Sequence, residues 1–216
     1  MQERDFKAIR DCLSEQRLGG YQAKQVEPLG LYKWNVALSE SLYPLLNTVE
    51  VALRNRLHTE IAKIISHDTW LLDRDERILK LLHDHWTIKL DANIRDCRKK
   101  NKLDEGHLIA EMNFGFWTVL LGNQFEYQQF LWPKLKTIVF PFAHSIHIHE
   151  IRKQFKAIRN LRNRVFHYEA IWHWRDLQQK HDLIVEALKW LNPALLHLVE
   201  VDRFKAVYAR GPNGKN

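Results

Sequence analysis

Residues 158–172, IRNLRNRVFHYEAIW, crowd Arg159, Arg162, Asn163, Arg164 and His167 into about two and a half helical turns. Residues 151–168 hold six Lys or Arg (Arg152, Lys153, Lys156, Arg159, Arg162 and Arg164) and no carboxylate. Arginine carries a planar, permanent charge that holds phosphate through two hydrogen bonds. Histidine takes up or releases a proton near neutral pH. These side chains at this spacing suit a place where a phosphodiester is gripped and cut. A merely solvated helix face has the same composition, so spacing has to decide. Arg162 and His167, five positions apart, project about 140° from one another on an ideal helix, whereas Asn163 and His167, four apart, share a face. Loosening of the helix after Val165 lets Arg162 swing toward His167. A second set, Arg54, Asn55 and His58, sits on another helical segment, with Arg54 and His58 four apart, and can face the first.

The elements that must position these groups carry a helical period nearly throughout. Phe6, Ile9, Cys12 and Leu13 give the stripe of a first helix. Ser14 caps a short second one that Gly19 and Gly20 end. Pro28 starts a long segment, residues 31–65, whose apolar positions (Leu38, Leu42, Leu45, Leu46, Val49, Leu53, Leu57, Ile61) recur at three and four. Pro44 is expected to kink or split it. A break at residues 66–68 precedes a charged helix over residues 74–100, with Ile78, Leu81, Leu82, His85 and Ile88 on one side. Asp104 caps the next helix, and residues 113–121, NFGFWTVLL, form a short buried aromatic segment. Pro133 and Pro141 punctuate a tight region. Helices over residues 146–166, 175–190 and 193–208 follow, the first bearing the basic run. The pattern predicts one all-α domain over residues 1–210, with a flexible tail over residues 211–216.

Composition narrows the class of partner. The net charge of +7 and a pI near 9.4 favour an anionic partner, nucleic acid above all. Cys12 and Cys97 lie far apart in no metal-ligand spacing and read as reduced, partly buried thiols. The charged N-terminus has no apolar core for a signal peptide, and no uncharged run is long enough to span a bilayer, so a cytoplasmic protein is expected. His144, His147 and His149 cluster without a nearby Cys and with only Glu150 as carboxylate, and there is no HExxH, so no metal site is expected. No phosphate-binding or dinucleotide glycine loop is present, and no cofactor is expected.

Arg162-Asn163-x-x-x-His167 resembles the R-x4-6-H signature of HEPN domains. Residues 31–58, 114–121, 131–141 and 161–172 are similar, in order, to segments of the Abi-like (abortive infection) branch of that superfamily. The resemblance spans about residues 14–195. It implies a HEPN-like helical bundle with additional helices, a homodimer in which two R-x4-6-H helices meet, and RNA cleavage without a metal. Residue by residue it implies that Arg162 and His167 are the catalytic pair and Asn163 the polar neighbour. Arg54 and Asn55, in the LRN segment of the first long helix, take a supporting or RNA-contacting role. The branch often places His-His-Glu-Pro after the arginine motif. This chain has His167-Tyr168-Glu169-Ala170 and lacks the second histidine and the proline.

RNA brings its own nucleophile, the 2′-hydroxyl beside the scissile phosphate. Two His167 side chains across a dimer can act as base and acid. Arg162 then stabilises the phosphorane-like charge, Asn163 orients the site, and Arg152, Lys156, Arg159 and Arg164 form the electrostatic bed for RNA. The competing expectation is a non-catalytic RNA-binding module held with a small RNA or a partner protein such as an antitoxin. A binder loses affinity with each cation removed and is indifferent to His167.

Overall fold

The structure, a computed structural model, describes residues 3–23, 26–126, 131–132 and 134–213; the side chains of residues 3–6 and 126 are outside that description. The expectations for the Phe6 side chain, for Pro133 and for residues 214–216 of the tail therefore lie outside the described residues. The chain is all-α: no strand forms among the described residues, only an isolated antiparallel bridge between Ala23 and Val26.

Helix α1 (Glu3–Leu13) is followed by α2 (Glu15–Gly19), whose first turn is closed by the Ser14 hydroxyl accepting the Arg17 N–H at 3.2 Å. Pro28 opens α3 (Pro28–Ile65), a helix of 38 residues and about 57 Å. Its predicted stripe is the heart of the core: Leu38, Leu42, Leu46, Val49, Leu53 and Leu57 are fully buried. Pro44 does not split α3. A mid-helix proline costs about 3 kcal/mol. The four leucines buried on either side of it, Leu38, Leu42, Leu45 and Leu46, contribute about 1.5–3 kcal/mol each, which outweighs that cost.

The helix expected over residues 74–100 is two, α4 (Glu76–Leu79) and α5 (Asp84–Lys99). The Asp75 carboxylate accepts the Arg77 N–H at 2.9 Å and nucleates α4, and extended backbone at His83 starts α5 afresh. The expected stripe holds only up to that turn: Ile78 and Leu82 are buried, but His85 and Ile88 are exposed, and α5 buries Leu90, Ile94 and Cys97 instead. Next come α6 (Glu105–Glu111), capped by Asp104 as the sequence predicts, α7 (Phe114–Val119), α8 (Asn123–Glu126) and α9 (Lys134–Val139). Phe114, Phe116, Trp117, Leu120 and Leu121 of the aromatic segment are all buried. Helix α10 (Ile148–Phe166) carries the basic run, and α11 (Leu177–Leu191) packs on both α3 and α10. The last expected helix is a 3₁₀ turn (Pro193–Leu198) and α12 (Arg203–Arg210), parted by extended backbone at Val199. Cys97 is buried, but Cys12 is exposed rather than partly buried; both are free thiols. No described helix is long and apolar enough to cross a membrane.

One buried polar side chain locks the segment after α10. Asn35 of α3 is 3% exposed. Its Oδ1 accepts the backbone N–H groups of Ile171 (2.7 Å) and Trp172 (3.1 Å), and its Nδ2 donates to the Glu169 carbonyl at 3.5 Å. Asn35→Ala leaves two backbone N–H groups without acceptors. It is expected to lower unfolding free energy by about 3 kcal/mol, read by urea denaturation.

Candidate functional site

Helix α10 presents the cluster at its C-terminal end. Its start is held by the Glu150 carboxylate, which accepts the His147 N–H at 2.8 Å. His147 and His149 stack on each other there, and among the described residues no group of three or more His, Cys, Asp or Glu is placed to hold a metal ion. At the other end the helix stays regular through Phe166, so it does not loosen after Val165, and His167 is the cap. The closing hydrogen bonds run from Tyr168 N to Val165 O (3.1 Å) and from Glu169 N to Arg164 O (2.9 Å). This pair forms when the residue after the cap turns left-handed, a place that glycine usually fills. Here it is Tyr168, with φ +57° and a ring 77% exposed. A side chain in that conformation costs about 1–2 kcal/mol.

Arg162 is oriented by packing from outside its helix. Its Nε donates to Glu50 Oε2 at 2.9 Å and its Nη2 to Oε1 at 3.4 Å, both side chains being largely buried. Its guanidinium also lies 4.2 Å from the centre of the Phe166 ring. Phe166 in turn stacks on Tyr43 of α3, with ring centres 5.3 Å apart and planes 21° apart. Arg162 thus has one edge paired and one face covered, and its Nη1 has no hydrogen-bond partner among the described residues. His167 is exposed, and its ring has no hydrogen-bond or ion-pair partner among the described residues.

The expected electrostatic bed is engaged more than the run of charges implied. Arg152 donates to the Leu121 carbonyl at 2.6 Å and Arg159 to the Thr118 hydroxyl at 3.2 Å, which ties α10 to the aromatic segment. Arg164 pairs with Glu169. Lys153 and Lys156 are exposed and make no ion pair among the described residues. Asn163 and Arg164 line an open polar groove of about 670 Å³ with Asn160 and Glu169. Its far wall brings cations that the sequence did not mark out, Arg175 and Lys180, the latter 5.1 Å over the Trp174 ring and paired with Asp176.

Of the second set, only His58 belongs to the core. His58 is 9% exposed, its Nε2 is 2.6 Å from Glu105 Oε1, and its ring stacks on Trp70. Glu105 also accepts the N–H groups of Leu71 and Leu72. These contacts engage Nε2 and a ring face of His58 and make it part of the packing between α3, α6 and Trp70. Asn55 is exposed, while the Nε of Arg54 is buried without a partner among the described residues. What sequence reasoning missed was Glu50 and Asn35. A signal existed for Glu50: it lies between Val49 and Val51 in a largely apolar helix, where a carboxylate needs a cation to meet it.

Compared with models of protein families, with curated proteins and with solved structures, the chain matches none. The chemistry of the site therefore rests on these residues and their geometry. Two substitutions test it. Glu50→Gln removes the anion facing Arg162 and is expected to cost about 1–2 kcal/mol. Tyr168→Gly relieves the left-handed backbone and is expected to add about 1 kcal/mol. Both are read as shifts in urea midpoint at unchanged slope.

Proposed function

We propose that this protein is a cytoplasmic endoribonuclease of the HEPN, Abi-like kind, a growth-arresting toxin or antiphage effector, working as a homodimer. What supports this reading is the end of α10, where both residue types fall within five positions, although the regular helix leaves them on faces about 140° apart within one chain. An exposed histidine without a partner follows, by five residues, an arginine whose guanidinium is pre-aimed by Glu50 and Phe166. A cation and a titratable imidazole are the groups that phosphodiester cleavage by the 2′-hydroxyl demands. A neutral His167 takes the 2′-hydroxyl proton as that oxygen bonds to phosphorus. The bond from phosphorus to the 5′-oxygen breaks, and a protonated His167 supplies that oxygen with its proton. The products are a 2′,3′-cyclic phosphate and a 5′-hydroxyl, and the nucleophile requires no metal to generate it. Arg162, through Nη1, meets the charge that develops on the phosphoryl oxygens, a contribution of about 3–4 kcal/mol for one well-aimed donor. Glu169, the next carboxylate along the chain, is engaged by Arg164, so the second proton-transfer group is assigned to the His167 of a second copy. Asn163, Arg164, Arg175 and Lys180 border the groove along which the strand's phosphates run.

Expression of wild type, Arg162→Ala and His167→Ala in a bacterial host tests this. The wild type is expected to arrest growth and to leave discrete RNA fragments ending in cyclic phosphate. Each variant is expected to cut at least a hundredfold more slowly, with His167→Ala retaining RNA affinity. Cleavage by both variants at the wild-type rate refutes the proposal. RNA binding without cleavage by any of the three proteins leaves the binding module as the function.

A further inference from the structure

Beside the candidate site lies a second concavity of a different character. It measures about 470 Å³, is mainly apolar, and runs between α3, the segment after α2 and the end of α10. That volume is within the range of clefts that hold a small ligand. Of the seven large apolar side chains left exposed among the described residues, three (Val36, Tyr43 and Tyr168) line this one groove. Two of the three exposed tyrosine and phenylalanine rings among the described residues, Tyr43 and Tyr168, line it, and grouped apolar exposure of this kind marks a binding surface.

The groove adjoins the candidate pair along the chain. Val165 and Tyr168, which flank Phe166 and His167 in the chain, form part of its wall. Arg162, Phe166 and Tyr43 are stacked in succession, and Tyr43, half exposed, is the end of that stack within the groove. The left-handed backbone at Tyr168 turns an aromatic ring outward at this point against a conformational cost. Polar groups without partners lie among the rings. The hydroxyl of Tyr21, a residue 1% exposed, has no hydrogen-bond partner among the described residues, and burial pushes its phenol up, which keeps it a donor. Tyr32 and Ser39 have free hydroxyls among the described residues as well. At the rim, Arg17 has no carboxylate partner among the described residues, whereas Arg203 is paired with Glu40 at 2.5 Å.

Flat apolar faces, scattered hydroxyls and one rim cation match a nucleotide: a planar base with hydrogen-bonding edges, joined to a phosphate. We infer that the groove seats an unpaired base of the RNA strand next to the scissile phosphate, between Tyr43 and Tyr168, with a neighbouring phosphate at Arg17. The inference rests on the ribonuclease reading for the identity of the strand. It makes single-stranded RNA, rather than duplex, the substrate class, because a base inside a helix offers no free face.

The test is binding of a short fluorescent single-stranded RNA, followed by anisotropy in the His167→Ala background so that the strand stays whole. Tyr43→Ala and Tyr168→Ala are each expected to weaken binding about tenfold, the scale of one lost base–aromatic stack. Tyr43→Phe, which keeps the ring, is expected to stay within about twofold. Arg17→Gln is expected to flatten the salt dependence by about 0.7 in log–log slope. The same strand carrying abasic sugars is expected to bind weakly and to ignore the tyrosine substitutions. Unchanged affinity in both alanine variants, or equal binding of the abasic strand, overturns the inference. Displacement of the strand by a free nucleoside monophosphate at its own affinity reassigns the groove to free nucleotide and overturns it too. Thermal melting checks each variant's fold, and Tyr43→Phe separates stacking from folding. If tyrosine loss weakens binding but no protein cuts RNA, only the cleavage reading fails. If RNA is cut and the alanine variants bind normally, only the groove assignment fails.

Discussion

Burial of one side of α3 is the constraint on which the rest of the structure depends. A helix of 38 residues with a continuous leucine stripe has to be covered along most of its length, and α7, α9, α10, α11 and α12 all pack against it. The stripe tolerates a proline in mid-helix because the leucines around it are more valuable to burial than the lost hydrogen bond. Once α3 is placed, the side chains along the edge of its stripe are placed with it. Asn35 meets the segment at residues 169–172, Tyr43 meets Phe166, and Glu50 meets Arg162. As the numbers rise along α3 they fall along α10 and the segment after it, so the two run antiparallel through three successive contacts of different chemistry.

Those contacts account for the chemical state of the candidate pair. Arg162 is held by an anion, a ring and the rotamer they jointly select, so little side-chain freedom remains to be lost when a phosphate arrives. His167 is treated the opposite way, placed at the helix cap with an exposed ring and no described partner. Several cations near them are structural. Arg152 and Arg159 fasten α10 to the aromatic segment, and Arg164 neutralises Glu169. A strongly basic stretch of sequence is thus only in part a basic surface.

The ends of helices illustrate how far local chemistry carries. Ser14, Asp104 and Pro28 act where their residue types say they should, because caps depend on neighbours within a turn. The breaks after Leu79 and before Arg203 escaped the reading of periodicity, because apolar spacing can run on by coincidence across a turn that rotates the next helix. Tyr168 escaped it as well. A left-handed residue after a helix is foreseeable when it is glycine; at Tyr168 it accompanies the local closing bonds to Val165 and Arg164, while Asn35 of α3 donates to the Glu169 carbonyl beside it.

By itself the sequence determined the all-α class, the core stripe of α3, the burial of the aromatic segment and the helix that bears Arg162 and is capped by His167. Each of these follows from periodicity and capping, which are local. Only the tertiary structure decided which partners those residues have. Glu50 lies 112 residues from Arg162, and Asn35 lies 136 from Ile171. The same fold drew His58 into an aromatic core and ranged Tyr43 and Tyr168 along one groove. Spacing along a helix specifies direction, but whether an arginine meets an anion, or a histidine a neighbour, depends on which element packs opposite.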